Sequence, residues 1–419
     1  MNAIDSPSHA GSGTGALAGL RVLELGQIMA GPVCGMMLAD LGADVIKVEK
    51  SGGGDDARGY REPRINGVSA PFLMLNRNKR SVVIDLQREQ GKALLKKMVE
   101  TADVVIENFR LGTMEKLGLG YDELSRINPR LIYCAISGYG RSGPLAEAGG
   151  FDLIAQGFSG LMSITGEPGG RPLRNGNSVC DVNAGLLAAF GILAAVRQRE
   201  RTGLGQVVDT SLFEAGLQQL YWHAAIYFAT GESAGGTGAA HVLIAPYEAF
   251  ATGDQWIIIG GANERNWVRV AQILGHPEWV DDARFASNDA RMRNSQALRE
   301  AITEVLVKQP AAYWLQAFDA AGVPCGPIHS VGQALSHPQA IARGMLVEQA
   351  HPSAGSVRSV GLPVKLSHSP MRDRNAAPML GEHSREVLRE YGFGESQIDE
   401  MIAAGAVAVQ DAPVGHGRS

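Results

Sequence analysis

Short apolar runs alternate with longer amphipathic segments through the first half of the chain. Residues 21–25 read Arg-Val-Leu-Glu-Leu and residues 44–49 read Asp-Val-Ile-Lys-Val-Glu, with a helical pattern at 32–41 between them. Such an alternation is typical of a parallel sheet that helices cover on both faces. Later segments of the same kind are strand patterns at 81–85, 104–106, 131–133 and 206–209, and helical patterns at 89–101 and 182–199.

The pattern changes after about residue 231. Apolar runs at 247–250 and 256–259 flank a Gly-Asp pair, which predicts two antiparallel strands joined by a tight turn. Helical patterns follow at 267–274 and 294–308. We therefore predict an α/β chain that contains a second, smaller α+β domain.

The last part of the chain has strand and helix signals of its own. We expect a turn at 354–356, a strand at 364–366 and a helix after His383. These elements are predicted to return to the large domain, which is then built from both chain ends. The predicted organisation is a disordered tail at 1–16, the first part of the large domain at 17–230, the small domain at 231–330, the return to the large domain at 331–407, and a frayed tail at 408–419.

Composition excludes several classes of function. A formal net charge of −5 gives no global attraction for nucleic acid or an acidic membrane, so an anionic ligand needs a local basic cluster. The four cysteines are scattered without a C-x-x-C pair, and the histidines lack metal-ligand spacing, so neither a metal site nor a disulfide scaffold is expected. No apolar run reaches the ~18 residues of a membrane span, and no secretory signal pattern begins the chain. We expect a cytoplasmic protein.

Asp181 stands directly before the helical pattern at 182–199. An Asp in this position is typical of an N-cap that accepts a backbone hydrogen bond. A helix N-terminus also keeps a carboxylate ionised and offers amides that stabilise an oxyanion or anhydride, so Asp181 is equally a candidate nucleophile. Asp152 has the same ambiguity. Cys180 has no histidine nearby in sequence to form a thiolate, which favours core packing.

A short basic cluster, Asn76-Arg77-Asn78-Lys79-Arg80-Ser81, precedes one of the predicted strands. It is interpreted either as a solvated loop or as a clamp for phosphate or carboxylate, because Arg offers a planar fork and Lys a point charge. The turn at 26–31 lacks G-x-G-x-x-G, so a nicotinamide cofactor is not expected.

Several short motifs are spread in order along the chain, at 20–24, 30–32, 41–49, 76–81, 107–109, 128–130, 203–206, 323–327 and 380–383. Together they resemble the class III CoA-transferases, the family of formyl-CoA and carnitine CoA-transferases. The resemblance runs from about residue 17 to about residue 407, and the ordered set is far more specific than any single motif.

The resemblance implies a fold and an assembly. Members of this family are interlocked homodimers, in which two chains thread through each other like rings. Each chain has a large Rossmann-like domain made from both termini and a small domain between them. This agrees with the division predicted from the pattern, whereas the interlocking comes from the resemblance alone.

The resemblance also implies a nucleophile. The aspartate of the family falls on Asp181, which by this likeness attacks the thioester of the donor acyl-CoA and gives a mixed anhydride and a CoA thiolate. The thiolate then forms an aspartyl-CoA thioester, the donor acid leaves, and the acceptor carboxylate reverses the sequence. Covalent catalysis of this kind splits one difficult exchange into easier steps. The only cofactor expected is coenzyme A itself, as the thioester substrate, and no metal is expected.

CoA contacts implied by the family fall on a scattered set of positions, whose basic members answer the phosphates of the nucleotide. Met29 and Phe151 depart from the Gln and Tyr of formyl-CoA transferases, and only Gly235-Gly236-Thr237-Gly238 stands where those enzymes have a tetraglycine loop. Formate and oxalate are therefore not the expected substrates. The implied CoA-binding residues are Ile28, Met29, Lys50, Asn76, Arg77, Asn78, Lys79, Asn108, Phe109 and Lys116.

The chain is more similar to the succinate–hydroxymethylglutarate branch of the family, at 133–140, 159–166 and 76–79. This likeness implies dicarboxylate substrates of the succinyl, glutaryl or hydroxymethylglutaryl type. An arginine at the place of Arg77 is then expected to hold the far carboxylate of the acyl chain, with Phe151 beside the substrate.

Two rival interpretations remain. Racemases of α-methylacyl-CoA thioesters share the fold and use a His/Asp pair, but Phe151 stands at the histidine position and cannot carry a proton. A non-catalytic CoA-binding protein is the other alternative, and the presence of Asp181 argues against it. The sequence does not identify the donor acid, the acceptor acid or the glycine segment that moves during turnover.

Overall fold

The computed structural model describes residues 15–371 and 375–410. Most of the predicted tails at 1–16 and 408–419 therefore lies outside the described residues. The described end of the second tail is ordered, because Val407–Ala408 form a strand.

The elements follow one another in mixed α and β order. The strands are β1 Arg21–Glu24, β2 Asp44–Glu49, β3 Arg64–Ile65, β4 Val68–Ser69, β5 Lys79–Ile84, β6 Val104–Glu107, β7 Ile132–Ser137, β8 Val207–Ser211, β9 Tyr247–Ala251, β10 Trp256–Gly260, β11 Cys325–Pro327, β12 Leu346–His351, β13 Gly355–Val360 and β14 Val407–Ala408. The helices are α1 Ala30–Asp40, α2 Ala70–Leu75, α3 Glu89–Val99, α4 Thr113–Lys116, α5 Tyr121–Ile127, α6 Asp152–Phe158, α7 Val179–Thr202, α8 Leu212–Gln218, α9 Tyr221–Thr230, α10 Glu264–Ile273, α11 Asn288–Arg293, α12 Ser295–Leu306, α13 Ala311–Ala320, α14 Val331–Ser336, α15 Pro338–Ala342, α16 Ser384–Glu390 and α17 Glu395–Ala403. Single 3₁₀ turns lie at Asp56–Gly59, Leu161–Ser163 and Pro277–Val280.

A seven-stranded sheet forms the centre of the large part of the molecule, in the order β14-β5-β2-β1-β6-β7-β8. Six strands are parallel, and β14 pairs antiparallel with β5 at one edge. Counted along the chain, the six parallel strands have the order 3-2-1-4-5-6 of doubly wound sheets. The strand order reverses between β1 and β6, where such sheets bind their ligands at the carboxyl ends of the strands.

The two faces of this sheet bury separate apolar layers, because neighbouring residues of a strand point to opposite sides. Leu23 faces the layer covered by α3, α5, α16 and α17, and Val22 faces the layer covered by α1 and α7. Strands buried on both faces read as continuous apolar runs, which explains why the first half of the sequence predicted a parallel sheet.

Helix α7 lies close against α1. A Cβ on Gly185 would stand 2.7 Å from the carbonyl oxygen of Ala30 and 2.8 Å from Val33, so only glycine allows this approach. The contact brings the start of α7 to the same end of the sheet as the loop that precedes α1.

Helix α7 is long and apolar enough to cross a membrane by length and composition, with a mean hydropathy of 1.9 over its most apolar window. The expectation that no apolar segment reaches this length is thus wrong. Its buried face, which includes Ala188 and Ile192, belongs to the core layer on the sheet. Core helices of proteins without a membrane segment pass the same test.

Two compact units make up the described chain. The first comprises the described parts of Met1–Ser159, Asn177–Leu217 and Gln339–Ser419, and the second comprises Gly160–Gly176 and Gln218–Pro338. The second unit is wider than the predicted small domain at 231–330, because it begins earlier, ends later and includes 160–176. The division of the structure therefore differs from the predicted one at both ends of the small domain and at 160–176. The predicted boundaries stay a prediction.

The second unit has its own sheet and core. Strands β11, β10 and β9 form an antiparallel sheet, as the Gly-Asp turn predicted for the last two. Trp267 on α10 is fully buried among residues of α12 and α13. These contacts make the unit a small α+β body.

The region after residue 343 departs from expectation. No strand forms at 364–366. Instead, β12 and β13 form a hairpin, and the predicted turn at 354–356 lies one or two residues earlier. The apolar run at 364–366 pairs with no other strand, and an isolated strand leaves its backbone groups unsatisfied.

Candidate active site

The loop after β1 has an unusual backbone. Ile28 has a φ of +66°, a conformation that β-branched residues rarely adopt. Two neighbours hold it there: Asp55 Oδ1 accepts a hydrogen bond from the Ile28 amide at 3.0 Å, and Asn108 exchanges two hydrogen bonds with the backbone of Gln27, each 2.9 Å long. Strain of this kind persists where the surroundings over-determine it, which is common at functional sites.

A buried ionic network supports the same loop from below. Lys47 Nζ contacts Glu24 at 2.9 Å and Asp55 at 2.8 Å, and it donates to the carbonyl of Gly26. Burial alone would lower the pKa of Lys47, but these two carboxylates raise it above its ordinary value. Lys79 contacts the second oxygen of Glu24 at 2.8 Å, and burial lowers its pKa to about 8. The ion pair with Lys47 holds the Asp55 carboxylate in place, and this carboxylate accepts the hydrogen bond from the Ile28 amide.

The loop after β6 is held by its own acid. Glu107 Oε2 accepts a hydrogen bond from the amide of Phe109 at 2.7 Å, and Glu107 Oε1 faces Arg141 at 3.2 Å and Tyr133 at 3.4 Å. Burial raises the pKa of Glu107 to about 7. Asn108 and Phe109 are therefore presented at the carboxyl edge of the sheet in a fixed conformation.

Asp181 is not the N-cap of α7. The helix begins at Val179, its N-cap is Ser178, and Asp181 lies in the first turn. The amides at this helix start are bound by Asp152, whose Oδ1 accepts from Cys180 at 2.9 Å and from Asp181 at 3.3 Å. The cap interpretation of Asp181 is wrong because a carboxylate 29 residues earlier in the chain already fills that role.

The Asp181 carboxylate receives no hydrogen bond or ion pair from any residue in 15–371 or 375–410. Burial raises its pKa to about 7, and the charge of Asp152 adds to this effect. Burial also raises the pKa of Cys180 to about 12, so its thiol stays protonated and behaves as core. The free group at this position is thus a carboxylate of raised basicity.

A cavity of about 430 Å³ opens at the point where the strand order reverses. Its size is within the range of small-molecule sites. Among the described residues of its wall, Arg110 and Asp181 are the charged ones. The wall is formed by residues 27–30, 108–111, 136–138, 146, 148–151 and 154, with Asp181 and Leu212.

A second cavity of about 200 Å³ adjoins the first, since Gln27 and Phe109 line both. Lys50 and Leu117 lie in the wall of this second cavity. The exposed Lys116 directly precedes Leu117 in the sequence. Together the two cavities follow the carboxyl ends of β2, β1 and β6. The wall of the smaller cavity also contains Glu49 and Asp85, and Lys50 is paired with Asp56 at 2.5 Å.

The structure gathers most of the predicted site residues but not all of them. Ile28, Met29, Asn108, Phe109, Phe151 and Asp181 line the first cavity, and Lys50 lines the second. Asn76, Arg77, Asn78 and Lys79 do not line either cavity.

The side chains of the 76–79 run are used inside the protein. Arg77 forms a two-pronged pair with Asp40, at 3.0 Å and 2.5 Å, and donates to Ser359; its side chain is 1% exposed. Asn78 donates to Asp40, and Lys79 is bound to Glu24. The expectation that Arg77 holds the far carboxylate of an acyl chain is therefore corrected, because its guanidinium is buried and already neutralised.

Sequence reasoning missed two residues of this site, Gln27 and Arg110. They follow β1 and β6 at the sheet edge, so a topology drawn from the strand pattern would have indicated them. Asp152 was a cap candidate in the sequence, and it binds amides of α7, a helix that is distant from it in sequence.

The cavity is suited to nucleophilic chemistry by one carboxylate. Its described wall contains no histidine, and Phe151, which is 69% exposed, has a ring that cannot carry a proton. Within residues 15–371 and 375–410, no three His, Cys, Asp or Glu side chains are placed to hold a metal ion. What the site offers is a basic carboxylate and one arginine.

Known proteins resemble the chain over most of its length. The family model described as CoA-transferase family III matches residues 17–384. The succinyl-CoA:glutarate CoA-transferase of Mus musculus is 37% identical over 93% of this chain and 90% of its own length. The succinate–glutarate CoA-transferase of Agrobacterium fabrum is 40% identical over 89% of this chain and 95% of its own.

Solved structures agree with this. A CAIB/BAIF family protein from Brucella suis matches with a TM-score of 0.81 and 38% identity, covering 90% of this chain and 100% of that one. The family model and the relatives each span far more than half of the chain, in the order of motifs that the sequence displayed. The chain therefore belongs to CoA-transferase family III, and it is a CoA-transferase by family.

Proposed function

We propose that this protein moves CoA between an acyl-CoA and a free carboxylic acid, with dicarboxylates of the succinyl, glutaryl or hydroxymethylglutaryl type as its substrates. The observation that carries the proposal is Asp181, a carboxylate that no described residue pairs with, in a cavity at the reversal point of the sheet. The relatives from Mus musculus and Agrobacterium fabrum, named for succinyl and glutarate exchange, support the substrate class.

Asp181 is the nucleophile in this proposal. Its carboxylate oxygen attacks the thioester carbonyl, the C–S bond breaks, and CoA leaves as a thiolate. The thiolate attacks the aspartyl carbonyl of the mixed anhydride and releases the donor acid as a carboxylate. The acceptor carboxylate then attacks the aspartyl carbonyl of the aspartyl-CoA thioester, the C–S bond breaks, and CoA thiolate leaves a second mixed anhydride. The thiolate attacks the acceptor carbonyl of this anhydride, which forms the new acyl-CoA and releases Asp181 as a carboxylate.

Several features of the site fit this sequence of steps. Partial burial makes Asp181 more basic than an exposed aspartate, and a more basic carboxylate is a stronger nucleophile. Because one thioester replaces another, the exchange needs little driving force.

We place the two ends of CoA in the two cavities. The pantetheine end reaches Asp181 through the first cavity, past Ile28 and Asn108, and the nucleotide end lies at the second, near Lys50 and Lys116. These cations supply the local positive charge that the net charge of −5 does not.

The protein is also proposed to be an interlocked homodimer that works in the cytoplasm. Support comes from large apolar side chains that stand exposed in the single chain. Helix α9 exposes Trp222 by 60% and Phe228 by 84%, and Phe190 on α7 is exposed by 72%. Large apolar side chains exposed together on one helix, as on α9, are typical of association sites.

The first experiment is a direct transfer assay. The enzyme is incubated with succinyl-CoA and ¹⁴C-glutarate, and labelled glutaryl-CoA is expected. The same assay in D₂O with a 2-methylacyl-CoA distinguishes the racemase. Deuterium exchange at the α-carbon without any transfer would contradict the proposal.

The second experiment locates the covalent intermediate. During turnover, hydroxylamine or borohydride should modify Asp181, and peptide mass analysis identifies the position. Asp181→Asn and Asp181→Ala should both abolish transfer while still binding CoA in a titration. A non-catalytic CoA-binding protein predicts no transfer by the parent enzyme, and near-normal turnover by both variants would exclude Asp181 as the nucleophile.

A further inference from the structure

Arg110 is a cation in the wall of the first cavity. Its guanidinium forms no hydrogen bond or ion pair with a residue of 15–371 or 375–410. By contrast, Arg58, Arg77 and Arg141 are each paired with a carboxylate. A free arginine in a binding cavity is available to a carboxylate or phosphate of the ligand.

The guanidinium has a defined place on the wall. A Cβ on Gly149 would lie 2.9 Å from the Nη2 atom of Arg110 and 3.2 Å from its Cζ, so the group rests directly over this glycine. Gly149 is followed by Gly150, which touches Gly138 so closely that a Cβ at either position would meet the other backbone within 2.8 Å. The surface under Arg110 is therefore closely packed.

The same segment leads to Asp152, which binds the amides at the start of α7. Arg110 and Asp181 thus line one cavity and are connected through one short stretch of chain. They are not an ion pair: the Asp181 pKa is raised by burial and by Asp152, and Arg110 does not lower it. The space between the two charges is left for a ligand.

We propose that Arg110 binds the far carboxylate of a dicarboxylic acyl group while the near carbonyl reacts at Asp181. This rests on the proposed function and names the residue that gives it dicarboxylate selectivity. A diacid places a negative charge at each end, one end at the nucleophile and the other at the free guanidinium. A monoacid of the same length leaves Arg110 to solvent.

Binding without turnover tests this directly. In an Asp181→Asn background, succinyl-CoA, butyryl-CoA and free CoA are titrated calorimetrically, with and without Arg110→Gln. A charge-assisted pair is worth roughly 1.5–3 kcal/mol, so succinyl-CoA affinity should fall about 10- to 150-fold. Butyryl-CoA and free CoA should change less than about threefold. Arg110→Lys, which keeps the charge but not the fork, should recover part of the loss.

Turnover gives the second readout. Arg110→Gln should raise the KM for glutarate strongly and leave the KM for butyrate nearly unchanged. Arg201→Gln, an exposed arginine in the last turn of α7, is the matched control and should change neither. Equal loss for succinyl-CoA, butyryl-CoA and free CoA would place Arg110 on a CoA phosphate and overturn the proposal.

The two levels of proposal fail differently. If the parent enzyme transfers no CoA between any acids, the proposed function fails, whatever the titrations show. If transfer occurs but Arg110→Gln leaves the preference of succinyl-CoA over butyryl-CoA intact, the function stands and the assignment of Arg110 is wrong.

Discussion

Two aspartates lie at the start of α7 with opposite environments. Asp152 is bound by two backbone amides and by Gln156 Nε2 at 2.6 Å, whereas no described residue donates to the Asp181 carboxylate. Burial without such donors opposes ionisation and raises the pKa of Asp181. One carboxylate is therefore held in place and the other is left reactive.

The rate of transfer should depend on pH through Asp181. Its pKa is about 7, and the carboxylate form is the nucleophile, so kcat/KM should rise as pH increases through about 7. Asp152→Asn removes a negative charge, which should lower the Asp181 pKa and shift this limb to lower pH. A profile of kcat/KM between pH 5 and 9 for both proteins measures the shift. If the rising limb of the profile stays in place, the charge of Asp152 does not raise the pKa of Asp181.

The contribution of Asp181 to the stability of the fold should fall with rising pH, opposite to its effect on the rate of transfer. The folded pKa of Asp181 is raised above its unfolded value, so its contribution to stability is present at acid pH and is lost as pH rises through about 7. Asp181→Asn removes this penalty and should raise the Tm at pH 8 more than at pH 5. Scanning calorimetry at the two pH values decides this, with Asn183→Ala on the same helix as the control.

Arg77 has a structural role that mutation can distinguish from substrate binding. Its pair with Asp40 is fully buried, and removing one partner of such a pair costs about 3–5 kcal/mol. Arg77→Met should therefore lower the Tm sharply and should not discriminate between diacids and monoacids. The double variant Arg77→Met/Asp40→Leu should recover part of the Tm. A selective loss of diacid transfer at unchanged Tm would restore the role first inferred from the sequence.

At the level of elements, the strand pattern was informative and the side-chain partners were not. The apolar runs predicted six parallel strands, and the ends of those strands are where the cavity lies. The residues at 76–79 were interpreted as a possible clamp because they are polar and basic. The sequence does not show which side chains lie opposite them in the fold. Only the fold shows that Asp40 and Glu24 stand opposite.

Asn108 joins two of these elements, and its loss should weaken CoA binding. Asn108→Ala removes both hydrogen bonds to Gln27, each worth about 1 kcal/mol, so the Kd for CoA should rise up to about 30-fold. Asn128 is the matched control, because it also donates twice to backbone carbonyls, at Val99 and Ala102, away from both cavities. Asn128→Ala should lower the Tm and leave the Kd for CoA unchanged. Equal Kd values for CoA in both variants would show that CoA binding does not depend on the hydrogen bonds between Asn108 and Gln27.

At the scale of the whole molecule, the resemblance to a family supplied what the pattern could not. Alternating strands and helices indicate a doubly wound sheet, but no local pattern states that two chains interlock. The exposure of Trp222 and Phe228 on α9 is visible only in the structure, because sequence alone does not show which face of the helix is covered.

The proposed dimer has a measurable consequence. Light scattering should give twice the chain mass of 44.4 kDa, and dilution to nanomolar concentration should not release folded monomers, since interlocked chains separate only by unfolding. Mixing two differently tagged preparations should give no mixed dimers until both are denatured and refolded. Rapid exchange of subunits under native conditions would contradict the interlocking.

Strand β14 also bears on how the protein is made. It covers the outer edge of β5 through residues that a ribosome adds more than three hundred positions after β5 emerges. Until then the nascent chain presents an open strand edge, the kind of surface on which polypeptides aggregate. Synthesis of this enzyme in a heterologous host should accordingly gain from chaperones that shield unfinished chains, and stop codons placed just ahead of Val407 should yield insoluble product.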